Sequence, residues 1–282
     1  MTDQVHLGAV TEFYDTHPIN EQQILDKLRQ DGFDPNDISE DILQNYDQDH
    51  YGGTEANDAL AALAAINSSC HVLDVCSGVG GPSRYLAHNY GCQVTGIDLT
   101  ESRIATATRL TALAGLEHLV TYKCANALDL PLPDGSIDVV ISQEAFCHIP
   151  DKNRLISECT RVLKPGGRIA FSDILTTDTT RSTTRRQLQQ QLTFTDLVSQ
   201  QTYRQLLEQN GCKVEFHDLA KEWRSILADR LAMYRSLKQQ TVDRYGEAHF
   251  QKWDDAYSFF VGLYETGELT GGRFLAVRSD SN

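Results

Sequence analysis

The sequence predicts an α/β fold in which a largely parallel sheet carries helices on both faces. Three observations carry this expectation. From Cys70 onward, apolar strand-like runs alternate with helical patterns, the order that builds a parallel sheet through crossover helices. The run Val139-Val140-Ile141 is apolar without alternation, as in strands covered on both faces. A glycine-rich turn, Gly78-Val79-Gly80-Gly81, sits where the first strand of the series meets the first helix.

The elements follow in order. Residues 71–77 form a strand, 78–91 a glycine turn and helix, 92–99 a strand and 101–116 a helix. Residues 119–126 and 136–144 are the third and fourth strands. The helix over 152–167 is closed by Pro165 and two glycines, and 168–175 is the fifth strand. The polar stretch 176–192 reads as a loop and lid helix, 199–212 as a helix ending at Gly211, and 213–220 as a sixth strand. Residues 271–278 supply a seventh. Before the series, 20–32 and 54–66 have helical patterns. The expected organisation is an N-terminal helical cap (1–65), an α/β core (66–223) with a lid segment near 176–200, a helical insertion (224–267) and the final core strand (268–282).

Composition narrows the function. Net charge is −14. Such an acidic chain repels phosphate backbones, so no nucleic-acid partner is expected. Seven cysteines are scattered without a C-x-x-C, which argues against a disulfide framework or zinc site and for a reducing cytoplasm. No metal ligand set is expected. The start shows no basic and apolar leader pattern, and no run approaches the length of a membrane span. The partner expected is a small molecule, bound by a monomer or homodimer.

The glycine turn points to a nucleoside ligand. Asp98 ends the second strand, where a carboxylate can accept hydrogen bonds from both ribose hydroxyls. A dinucleotide is the rival ligand. Against it, Ser83 stands where the third glycine of G-x-G-x-x-G would fall, and Asp74 precedes the loop. A carboxylate there opposes a pyrophosphate but suits an ammonium and a sulfonium. The ligand expected is S-adenosylmethionine (SAM). Its predicted contacts are Asp74, Ser77, Gly78, Gly80, Asp98, Leu99, Arg103, Asn126, Ala127 and Gln143.

The segment from Val72 to Asp173, with these motifs and Val162-Leu163-Lys164-Pro165-Gly166-Gly167, resembles the class I SAM-dependent methyltransferases of the ubiquinone and menaquinone type. The resemblance implies a Rossmann-like seven-stranded sheet with an antiparallel last strand. Three further segments resemble the sarcosine/dimethylglycine and phosphoethanolamine N-methyltransferases. They are Tyr46-Asp47-Gln48-Asp49-His50-Tyr51-Gly52-Gly53, the run from Ser142 to Lys152, and Gly267-Glu268-Leu269-Thr270-Gly271-Gly272-Arg273. The sarcosine type carries Trp where this chain has Tyr51 and Gly271. What the resemblance implies is N-methylation of a small amine, with glycine betaine synthesis the leading specific expectation. O-, S- or C-methylation of a metabolite is a rival, and a non-catalytic SAM-binding regulator is another.

Methyl transfer is an in-line displacement that needs alignment, exclusion of water and an unprotonated amine. His148, just past the fourth strand, has the pKa range of a general base or can orient the acceptor. In the phosphoethanolamine enzymes the matching histidine works with a tyrosine. The partner here is Tyr14, Tyr46 or Tyr51; the sequence does not choose. Cys147 and Cys76 are read as packing residues. Phe250, Trp253, Tyr257, Phe260 and Tyr264 share one helical face, either the insertion's core face or part of an aromatic site for a methylated ammonium. Arg185 and Arg186 belong to a solvated lid or meet a substrate carboxylate.

Overall fold

Helices lead into the sheet in a computed structural model that describes residues 3–279 other than residue 18. The ends of the expected cap and final strand, residues 1–2 and 280–282, lie outside these. The cap consists of α1 (Asp3–Asp15), α2 (Glu21–Gln30), the short α3 (Glu40–Leu43) and α4 (Gly53–Ala64). α2 starts where the Asn20 side chain accepts from the Gln23 backbone N–H, and it buries Ile24 and Leu28. Between α3 and α4 the chain passes over the carboxyl ends of the central strands as a strap, residues 44–52.

The core follows as β1 (His71–Val75), α5 (Gly81–Tyr90), β2 (Gln93–Asp98), α6 (Glu101–Leu113), β3 (Val120–Cys124), β4 (Ile137–Gln143), α7 (Lys152–Val162), β5 (Leu163–Thr176), α8 (Ser182–Leu192), α9 (Gln200–Gln209) and β6 (Cys212–Asp218). A single 3-10 turn, Phe146–His148, joins β4 to α7. The insertion is α10 (Ala220–Ser236), α11 (Lys238–Tyr245) and α12 (Glu247–Glu265), and β7 (Leu269–Arg278) closes the sheet.

The seven strands lie in the order β3-β2-β1-β4-β5-β7-β6. β1 to β5 are parallel, and β7 runs antiparallel to both β5 and β6. The sheet is the Rossmann-like one expected, last strand included. Parallel strands reverse their order between β1 and β4, so the carboxyl ends of those two strands open a crevice.

Several element bounds differ from the sequence reading, two of them for a clear physical reason. β5 starts at Leu163, not Arg168, because Leu163 already pairs with Ile137 before an irregularity in the ladder. Pro165 ends α7 but sits within that irregular stretch of strand, where a missing N–H does little harm. α10 begins at Ala220, earlier than residue 224, since Leu219 already bonds the Gly271 carbonyl and Trp223 is buried.

Candidate active site

One cavity of about 200 Å³ lies over the carboxyl ends of β1, β2 and β4, roofed by α1, the strap, α10 and α12. It has two halves of different chemistry.

The core half is polar. Asp98 ends β2 and accepts backbone N–H groups from Gly78 (3.0 Å) and Thr100 (2.9 Å). These bonds fix the carboxylate while the surrounding protein raises its pKa by stripping water. Asp74 ends β1 and accepts from Ser83 Oγ at 2.5 Å. Burial lifts it to about 7. Ser77 Oγ and Gln143 Oε1 are buried without a hydrogen-bond partner, and both residues line the cavity. Unpaired buried oxygens are costly, and neither of these two is open to the cavity itself. Leu99, Arg103, Asn126 and Ala127 complete this half.

Gly80 is the exception among the predicted contacts. It lies in the turn with φ 84° but not on the cavity wall. A Cβ there would collide with the Tyr122 hydroxyl. Its role is to let β3 close on the loop, and the sequence could not separate that from ligand contact.

The other half is aromatic and assembled from distant segments. Phe13, Tyr14 and His17 come from α1 and the turn after it, Tyr51 from the strap, and His148 from the 3-10 turn. Phe194 follows α8; Tyr234, Trp253, Tyr257 and Phe260 come from the insertion. The His148 ring is held on both nitrogens, by Tyr14 Oη at 2.9 Å from Nε2 and by Thr193 Oγ1 at 2.9 Å from Nδ1. Burial drives its pKa down to about 3, so the imidazole is neutral at physiological pH and can accept on one nitrogen. Burial likewise holds the Tyr14 hydroxyl far above its usual value. The turn is fixed from behind. Asp173 accepts from the Cys147 N–H (3.2 Å) and the Tyr203 hydroxyl (2.6 Å).

Of the three candidate tyrosines, the fold brings Tyr14 to His148 and sets Tyr51 in the cavity. Tyr46 does not reach it: the hydroxyl bonds Asp31 on the protein's outside at 2.9 Å, because the strap turns this side chain away. Of the aromatic stripe, Trp253, Tyr257 and Phe260 line the cavity; Phe250 and Tyr264 pack away from it. Arg185 and Arg186 are exposed and off the cavity. Arg185 donates to the Leu197 carbonyl. Cys147 is buried with its thiol toward the Glu144 carbonyl; Cys76 is half-buried on the cavity wall. At Gly271 the Trp223 ring of α10 lies so close that a Cβ would clash.

Four residues escaped the sequence reading. Glu144, in the left-handed region at φ 47°, accepts from the Tyr51 N–H (2.7 Å) and Ser172 Oγ (2.6 Å). Loss of water raises it to about 7. It ties the strap to β4. His50 receives a bond from Gln143 Nε2 at 2.9 Å and faces Gln48 Oε1 at 3.0 Å. Arg230 Nη1 donates to the His50 carbonyl (2.7 Å) and Nη2 to Asp49 (3.1 Å), so α10 grips the strap from above. Only Glu144, His50 and Asp49 carried a signal, as members of the quoted motif segments; Arg230 sits in an ordinary amphipathic helix. Among the described residues, no cluster could hold a metal ion and no helix is long and apolar enough to cross a membrane.

The chain was compared with known proteins. Residues 73–171 match the family model described as a methyltransferase domain. The glycine/sarcosine/dimethylglycine N-methyltransferase of Actinopolyspora halophila is 35% identical over 188 residues, 66% of this chain and 33% of that protein. The sarcosine/dimethylglycine N-methyltransferase of Halorhodospira halochloris is 40% identical over 108 residues, 38% of this chain and 39% of that one. The match thus spans only about a third and about two-fifths of those relatives' lengths. Among solved structures, phosphoethanolamine N-methyltransferase 2 of Haemonchus contortus superposes with TM-score 0.75 at 21% identity, covering 96% of this chain and 60% of that one. At that identity the likeness is one of fold.

Proposed function

With a core that belongs to the class I SAM-dependent methyltransferases as premise, we propose that the chain transfers a methyl group to the amine of a small molecule. The observation that carries this reading is the Tyr14–His148–Thr193 line of hydrogen bonds, set in an aromatic chamber that adjoins the polar cofactor half.

SAM, when bound, supplies a methyl already activated on a sulfonium. The chain's part is alignment and the exclusion of water. Asp98 holds a diol; Ser77, Gly78, Gln143 and Asp74 meet the polar amino-acid end. Neutral His148, its Nδ1 fixed by Thr193, accepts at Nε2 from the Tyr14 hydroxyl, and the pair orients the amine's lone pair; a ring held near 3 by burial keeps no proton at neutral pH, so a primary or secondary amine passes its proton to solvent after transfer. A tertiary amine brings no proton to remove, and the pair orients it in the same way. The strap, held by Glu144 below and Arg230 above, closes over the chamber with α12 and keeps water out. A chamber of this size suits an acceptor of amino-acid or choline size rather than a protein or RNA, and the net charge of −14 agrees.

The test is a screen with labelled SAM against glycine, sarcosine, dimethylglycine, ethanolamine derivatives, histidine and thiols, with limited proteolysis in parallel. The expected result is label on an amine and protection of residues 46–53 when SAM and acceptor are both present. Tight SAM binding with no label on any acceptor favours a regulatory SAM-binding protein. Label on a protein or tRNA, with no change in protection, defeats the closed-chamber reading.

A further inference from the structure

We infer that the acceptor carries its amine on an apolar frame with no anionic group. The inference rests on the methyl-transfer reading above and names the substrate class of that same chamber.

The charges around the cavity point this way. Among the described residues lining it, the cationic side chains are Arg103 and Arg230, against five acids: Asp47, Asp49, Asp74, Asp98 and Glu144. An anion on the acceptor needs a cation that is free to meet it; Arg230 is engaged at every nitrogen, and Arg103 stands beside Asp49. Arg230, 9% exposed, spends Nη1 on the His50 carbonyl and Nη2 on Asp49, with Nε at 3.4 Å from the Tyr234 hydroxyl. Its guanidinium also lies over the rings of Tyr51 (5.4 Å) and Tyr234 (6.0 Å), which cover its faces. Arg103 donates to the Tyr14 carbonyl at 3.1 Å, lies over the Tyr14 ring at 5.2 Å and has the other Asp49 oxygen at 3.8 Å. Asp49 therefore stands between the two guanidiniums, with His17 at 3.6 Å. A ligand carboxylate brought to either arginine would sit beside Asp49 and be repelled by it.

The histidines of the acceptor half offer no charge in replacement, and the hydroxyls of Tyr51, Tyr234 and Tyr257 are neutral donors only. His17 and His50 are pushed down to about 4, and His148 to about 3, chiefly by burial. The rest of the wall is aromatic: Phe13, Phe194, Trp253, Tyr257 and Phe260. Ring faces attract an ammonium and give nothing to a carboxylate. The chamber therefore favours a neutral or singly cationic amine over a zwitterion, unlike the amino acids for which those relatives are named.

Two matched pairs test this by calorimetry on the chain saturated with S-adenosylhomocysteine: phenethylamine against phenylalanine, and dimethylaminoethanol against dimethylglycine. Each pair differs mainly by a carboxylate. The carboxylate member is expected to bind about tenfold or more weakly in both pairs. Asp49→Asn removes the anion between the arginines and is expected to narrow that gap by about fivefold or more. Equal or tighter binding of the carboxylate member in either pair overturns the inference. So does failure of all four ligands to bind, or a gap that Asp49→Asn leaves unchanged or widens. The first two outcomes are read on the unaltered chain and do not depend on the variant folding. The nucleoside titration itself probes the underlying reading: no S-adenosylhomocysteine binding takes down both, whereas binding with reversed pair order takes down only the acceptor class.

Discussion

The two halves of the cavity are built on opposite plans. The core half uses neighbouring strand ends: Asp98 and Thr100 at the β2–α6 junction meet the Gly78 turn of the adjacent β1–α5 junction, and backbone N–H groups lock the carboxylate. The roof half joins segments far apart in the chain; Tyr14 and His148 are separated by 134 positions and the strap is gripped by Arg230 from α10. The difference teaches where selectivity resides. On the proposed reading, a strand-end carboxylate serves any nucleoside ligand of this sheet, while the aromatic roof selects the acceptor.

The comparison breaks most readily at His148. Truncation to Ala is expected to cut turnover, though by less than the roughly 10²–10⁴-fold that a general base contributes, with SAM affinity nearly intact. Steady-state kinetics beside calorimetry checks it, and a parallel loss of SAM affinity would merge the two halves. Tyr14→Phe keeps the ring and deletes the hydroxyl that meets Nε2; a fall of roughly tenfold in turnover is expected, with an unchanged melting temperature.

Gly80→Ala probes the core half without touching the ligand. The new Cβ meets the Tyr122 hydroxyl at a positive φ, a strain of about 1–3 kcal/mol. The melting temperature should drop by roughly 2–4 °C per kcal/mol. A melting temperature equal to the parent's would show that β3 yields and that Gly80 is not needed for closure.

The smallest effect concerns pH. His50 is held at about 4 in the folded chain against its ordinary 6.5. Between those values the unfolded chain binds a proton that the folded one does not, so His50 subtracts stability as pH falls through the window and contributes nothing above it. His50→Gln removes that dependence. Its melting temperature relative to the parent should rise as pH goes from 7 to 4; a constant offset would mean that His50 is not desolvated.

The same contrast explains what the sequence made legible. The succession of strands and helices, and residues that line the core half of the cavity, followed from alternation and from a glycine turn between an apolar strand and a helix, because those patterns are local. The choice among Tyr14, Tyr46 and Tyr51 was not local: it depended on α1 folding back over β4 and on the strap rotating Tyr46 outward to Asp31. Arg230 and Asp49 form an ion pair across 181 positions, which no spacing within either segment announces. Gly80 misled for the reverse reason, since ligand approach and strand packing both demand a residue without a side chain.

The central claim is that the core half holds SAM while the roof half acts on the acceptor. Titration of SAM into the parent chain, Asp98→Ala and His148→Ala tests it most directly. Each charge-assisted bond lost with Asp98 costs about 1.5–3 kcal/mol, so Asp98→Ala should bind at least about tenfold more weakly, while His148→Ala binds as the parent does. Undiminished SAM affinity in a folded Asp98→Ala chain, or an equal loss in both variants, would contradict the account.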